Sequence, residues 1–73
     1  MFTVYSNINC PACQALKDKL TNWGIPHEVV MVNKDPLARE HMAKFGLRSV
    51  PQLLKDDRFL SNPLELTRED LLA

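Results

Sequence analysis

Neither charge dominates this chain. Nine basic residues stand against nine acidic ones in 73 residues, and nothing gathers the basic ones into a stripe. That argues against nucleic-acid binding. No apolar run approaches membrane-spanning length, so no membrane partner is expected. The opening residues, Met1-Phe2-Thr3-Val4-Tyr5-Ser6, lack both the positive start and the long apolar segment of a signal peptide. The expectation is a chain that stays where it is made, in a reducing cytoplasm. Cysteine is scarce as well, with only two residues, Cys10 and Cys13. A small secreted scaffold carries more of them at wider spacing. A bond closing so short a loop would remove little entropy from the unfolded chain. The pair is therefore expected to be reactive rather than structural. The length predicts one domain over residues 1–73, with a core near the lower limit for an unaided fold.

What is present is a short apolar run that leads into Cys10-Pro11-Ala12-Cys13. Phe2 to Tyr5 reads as a buried strand and Ser6 to Asn9 as a loop. A first helix is expected from about Pro11 to Trp23. Proline suits its first position, where no N–H is needed, and Leu16, Leu20 and Trp23 form its core stripe. Gly24 and Pro26 end it. His27 to Val32 is the second strand, with Val29, Val30, Met31 and Val32 at its centre. Asp35 caps a second helix ahead of Pro36, running from roughly Leu37 to Phe45, with Ala38, Met42 and Phe45 on one face and Gly46 as its stop. Gln52 to Lys55 and Arg58 to Leu60 read as a hairpin around Asp56-Asp57. Thr67 starts a last helix, whose Leu71 and Leu72 dock inward. The order β-α-β-α-β-β-α implies an α/β fold with one mixed four-stranded sheet, because the first crossover is parallel and the hairpin antiparallel.

The chemistry follows from where the strand delivers the motif. Cys10 at the helix N-cap would accept hydrogen bonds from the amides of Ala12 and Cys13 and face the positive end of the helix dipole. Cysteines so placed have pKa values of roughly 3.5–7.5, against about 8.5 for a free thiol. A fall from ~8.5 to ~5.5 raises the thiolate fraction at neutral pH roughly thirtyfold. Intrinsic nucleophilicity drops roughly twentyfold over the same range, so for attack the two effects nearly cancel. The lasting gain is in departure. Cys10 is thus expected to attack and to leave, while Cys13, one turn in and less exposed, resolves the mixed disulfide.

Val4-Tyr5-Ser6, Cys10-Pro11-Ala12-Cys13 and Ser49-Val50-Pro51 together resemble a glutaredoxin, a member of the thioredoxin superfamily. The resemblance implies a thioredoxin fold and a thiol–disulfide oxidoreductase with no bound cofactor. It also implies a cis peptide before Pro51, beside the active site, so that Val50 offers its backbone to an extended thiol-peptide as an added strand would. Pro11, Ser49, Val50, Pro51 and Tyr5 are the substrate- or glutathione-binding candidates. For Tyr5 a second reading is a core aromatic with its hydroxyl at the rim. For Arg39 and Arg48 the choice lies between holding a substrate carboxylate and simple solvation.

Two departures set this chain apart. Many glutaredoxins carry a lysine three residues before the first cysteine, where Asn7 stands here. Many also carry Gly-Gly and an acidic pair after the last strand, where this chain has Ser61-Asn62-Pro63-Leu64-Glu65-Leu66. Both changes bring it nearer the NrdH-type redoxins, which are reduced by thioredoxin reductase, and Phe45-Gly46-Leu47-Arg48 is similar to theirs. The electron donor is then glutathione, as a reducing co-substrate, or thioredoxin reductase. The recipient is a disulfide protein such as ribonucleotide reductase. A monomer in the cytoplasm is expected, and the near-minimal length also suits phage-encoded members acting in a host cytoplasm. The other class of reading is a non-catalytic protein- or metal-binding module. One Cys-x-x-Cys supplies two of zinc's usual four ligands, and His27 and His41 have no spacing that joins them to it, so no metal is assigned within one chain. A metal shared between two chains stays open.

Overall fold

A computed structural model describes residues 1–72. The elements are β1 (Phe2–Ser6), α1 (Pro11–Asn22), β2 (His27–Met31), α2 (Pro36–Lys44), β3 (Gln52–Lys55), β4 (Arg58–Leu60), a 3-10 turn (Pro63–Glu65) and α3 (Arg68–Leu72). The four strands form one sheet in the order β2-β1-β3-β4. β1 pairs parallel with β2, and the β1–β3 and β3–β4 pairs are antiparallel. This is the mixed sheet and element order expected above, with the short 3-10 turn added.

Side-chain alternation along the central strands splits the core in two. On one face Val4 and Leu53 meet Leu16 and Leu20 of α1, Ile25, and Leu71 of α3. On the other, Tyr5 and Leu54 meet Val32 and the α2 residues Ala38 and Met42. Both long helices start and stop by the same local chemistry. Cys10 and Asp35 occupy the N-caps, each followed by proline. The Asp35 carboxylate accepts from the amides of Leu37 and Ala38, at 3.1 and 3.2 Å. At the far ends, Gly24 and Gly46 take positive φ of 70° and 72°, a region that glycine enters without a Cβ penalty. The paired bonds Ile25 N–H to Leu20 O and Gly24 N–H to Thr21 O close α1 as a Schellman motif, and Leu47 to Met42 with Gly46 to Ala43 closes α2 likewise. In each case the residue after the glycine packs into the same core cluster as its bonding partner.

Several expectations need correction. α1 ends at Asn22, with Trp23 as its C-cap. α2 runs from Pro36 to Lys44, so Phe45 lies beyond the helix and is 55% exposed rather than sharing the buried face of Ala38 and Met42. Its ring stands edge-on to His41 and Phe59 instead. β2 stops at Met31 and forms one edge of the sheet, which leaves its centre, Val29, exposed. In α3 only Leu71 is buried, and Leu72 faces solvent, because adjacent residues of a helix do not share a face. Thr67 does start α3. Its Oγ1 accepts from the Asp70 amide at 3.3 Å, while Asp70 Oδ2 accepts from the Thr67 amide at 2.9 Å, a reciprocal capping box.

Candidate active site

β1 runs to the edge of the core and releases the chain into a tight loop. Asn9 takes a left-handed φ of 54° directly before Cys10, a conformation asparagine tolerates better than most residues. Asn7 Oδ1 accepts from the Ile8 amide at 2.7 Å, which folds that side chain into its own loop. Cys10 then returns to an extended conformation as the N-cap, and its carbonyl accepts the first helical bond from Gln14 at 3.1 Å.

The two sulfurs are joined as a disulfide, with the Cα atoms 5.2 Å apart. Their surroundings differ. Cys10 is half-buried, whereas Cys13 is 1% exposed. The Cys13 amide donates to Cys10 Sγ at 3.1 Å. The Ala12 amide, expected as a second donor, makes no such bond; the cap is made by the Cys13 amide alone.

Three further candidates come together. Ser49, Val50 and Pro51 line one groove of about 590 Å³ with Leu47, Phe59 and Leu64. The Val50–Pro51 peptide is cis. Val50 lies outside every helix and strand, and it makes no backbone hydrogen bond to the rest of the chain among the described residues. The Ser49 carbonyl is occupied by Gln52 Nε2 at 2.9 Å. Pro11 is exposed at the first helical position and borders a second groove with Cys10. Asn7 lines that second groove and also a third cleft, which it shares with Val50, so it sits between the cysteine loop and the proline loop.

Tyr5 is not brought to the cysteines. It is 6% exposed in the core cluster on the α2 face, and its hydroxyl lies 2.8 Å from His41 Nδ1. Burial first, then the nearby Asp35 carboxylate, pushes its phenol above the ordinary value. Arg39 spends its Nε and Nη2 on the Val32 carbonyl, at 3.3 and 3.1 Å. Arg48 is exposed beside it in the third cleft. His27 Nδ1 sits 2.9 Å from the Ile25 carbonyl, so neither histidine approaches the motif. Among the described residues no group of three or more His, Cys, Asp or Glu side chains is placed to hold a metal. Among the described residues no helix is long and apolar enough to cross a membrane.

The sequence reading missed Ser6 and Lys17. Ser6 is fully buried on the α1 face, and its hydroxyl has no hydrogen-bond partner among the described residues. The signal for its burial was alternation, since Ser6 follows Val4 by two on the same strand face. Lys17 lines the Cys10 groove from α1.

A strand that feeds a half-exposed N-cap sulfur, with a buried sulfur one turn inside, is an arrangement for reversible dithiol exchange. Comparison with known proteins agrees. The glutaredoxin family model matches residues 2–60. The glutaredoxin-like protein NrdH of Lactococcus lactis subsp. lactis is 33% identical over 70 residues, covering 93% of this chain and 97% of that protein. Among solved structures, the NrdH-redoxin from Escherichia coli, described as having a thioredoxin-like activity profile, superposes with a TM-score of 0.76 at 30% identity, over 85% of this chain and 84% of that one. The thioredoxin-like protein BC3987 superposes with a TM-score of 0.76 at 25% identity, over 85% and 86%. The fold is therefore the thioredoxin fold, and this chain belongs to the glutaredoxin family of thiol–disulfide oxidoreductases.

Proposed function

We propose that this chain is an NrdH-type electron carrier. It takes electrons from a thioredoxin-reductase-like flavoenzyme in the cytoplasm and passes them to a protein disulfide such as that of ribonucleotide reductase. Cys10 as thiolate attacks one sulfur of the substrate disulfide. A Cys10–substrate bond forms, and the other substrate sulfur leaves as a thiolate. Cys13 then gives up its proton to solvent or to that thiolate and attacks Cys10 Sγ. The Cys10–Cys13 bond closes and the second substrate thiolate departs. Two electrons have moved from the dithiol to the substrate, and the reductase's own dithiol reverses the sequence.

The observation that carries the choice of partner is the groove beside Val50 and Pro51. Leu47, Phe59, Leu60, Pro63 and Leu64 line it, and among the described residues Glu65 is the only charged one in the lining, while Lys19 reaches the Leu64 carbonyl from α1. Glutathione brings two carboxylates, for which the residues lining this groove provide no matched pair of cations. An extended apolar peptide finds both contact area there and the free backbone of Val50. Asn7 adds to this, since its side chain is neutral and turned to the Ile8 amide.

The test is a coupled assay run in parallel on one disulfide substrate. One arm supplies NADPH with thioredoxin reductase, the other NADPH with glutathione and glutathione reductase. Turnover in the first arm at least tenfold above the second supports the carrier reading. Equal turnover, or preference for glutathione, returns the chain to the glutathione-dependent members of its family.

A further inference from the structure

The groove that holds Cys10 has a cation of its own. It has a volume of about 540 Å³ and runs between the start of α1 and the end of β2. Ile8, Pro11 and Met31 give it apolar walls, and among the described residues Lys17 is the only one lining it with a formal charge. Cys10, Gln14 and Lys17 follow one another at helical spacing, so they lie along one face of α1. Gln14 turns its amide to Asp18 Oδ1 at 2.9 Å. That bond also engages the carboxylate nearest Lys17 in sequence, and adjacent helical residues do not face each other. Lys17 itself has no ion pair or hydrogen bond among the described residues. It is half-buried, so its stem is partly covered while its ammonium is left without a counter-charge.

We propose that Lys17 determines specificity in this site by holding a carboxylate of the thiol-bearing partner, one to three residues from the cysteine joined to Cys10. The inference rests on the reading of Cys10 as the attacking sulfur. The spacing follows from geometry. Cys10 and Lys17 are about 10 Å apart along the helix axis, and helical side chains lean back toward the N-terminus, which shortens the gap the ammonium must span. An extended peptide advances about 3.3 Å per residue. A carboxylate within three residues of the bonded cysteine therefore reaches the ammonium. It comes either from an Asp or Glu side chain or from a chain terminus, and both present the same group.

The experiment uses the reduced protein and three short cysteine peptides, each activated as its 2-pyridyl disulfide. One carries Glu two residues after the cysteine and an amidated end. One carries Gln there and a free terminal carboxylate. The third carries Gln and an amidated end. Release of 2-thiopyridone gives the second-order rate constant without any reductase, and the readout is the acid-to-neutral ratio within each variant. For the unaltered protein at low ionic strength the expected ratio is about two- to fivefold, the range of an exposed ion contact, and it declines as salt is added. Lys17→Arg keeps the preference, Lys17→Gln brings the ratio to one, and Lys17→Glu inverts it. Whichever acidic peptide shows the effect identifies the source of the carboxylate. Ratios unchanged in Lys17→Gln and Lys17→Glu overturn the proposal. Release that persists in Cys10→Ser overturns the reading of Cys10 instead, so the two failures are distinct.

Discussion

The Cys13 amide nitrogen lies 3.1 Å from Cys10 Sγ and donates to it, across the same step of chain that the disulfide closes. The donor is backbone, so it stays in place when the disulfide is reduced, and it favours negative charge on Cys10. Thiolate absorbance of the reduced protein near 240 nm is expected to show its first transition below the ordinary thiol value of about 8.5. Cys13→Ser keeps that transition and Cys10→Ser loses it. A first transition at or above the ordinary value contradicts the N-cap account.

Tyr5 supplies a pH signature on the other face of the sheet. Its phenol is raised by burial and then by Asp35, so the folded chain holds that proton more tightly than the unfolded chain does. The stability it contributes is complete below the unfolded value of about 10 and is lost as pH rises through the folded value. Urea midpoints are expected to fall above about pH 10, and Tyr5→Phe flattens that fall. An alkaline limb that is unchanged in Tyr5→Phe rules out this source.

Two exposed carboxylates act on the acid side. Asp70 is lowered by the Thr67 amide first and its hydroxyl second, and Asp56 by its hydrogen bond to the Met1 ammonium and then by that group's charge. Folded values below the unfolded ones mean a contribution present above about pH 4 and lost as pH falls through the folded values. Asp70→Asn therefore shallows the acid limb of a stability profile, read by urea midpoint. Thr67→Ala removes the other half of the capping box and costs about 0.5–2 kcal/mol.

Leu20 is fully buried in the α1-side core, while Leu37 is 73% exposed on α2. Leu20→Ala is expected to cost about 2–5 kcal/mol, a large share of the roughly 5–15 kcal/mol that holds a domain folded. Leu37→Ala is expected to stay within about 0.5 kcal/mol. Denaturant melts of both variants check the assignment of the core.

The parts of this molecule that were legible in advance are those written in neighbouring residues. Cys10-Pro11 and Asp35-Pro36 announce two helix starts, and Gly24 and Gly46 two stops. Each signal needs only the next few residues to act. What the chain conceals depends on partners far away in sequence. Val29 reads as core until β2 is known to be an edge strand. Alternation puts Tyr5 opposite Val4, but only the packing of α2 gives it to His41. The 3-10 turn, from which the Leu64 carbonyl accepts Lys19 Nζ at 2.5 Å, had no periodic signal at all. Lys17 was missed because its relation to Cys10 exists only along a folded helix beside Met31.

Cys10 is expected to attack and Cys13 to resolve, and trapping measures that division of labour directly. Each single cysteine-to-serine variant is incubated with a disulfide substrate, quenched with acid, and its intact mass read. Cys13→Ser is expected to accumulate a stoichiometric mixed disulfide through Cys10, since nothing remains to resolve it. Cys10→Ser, whose remaining sulfur is buried, is expected to form little adduct and to turn over no substrate. Rapid adduct formation through Cys13 in Cys10→Ser, with Cys10 inert in the converse variant, would contradict the assignment.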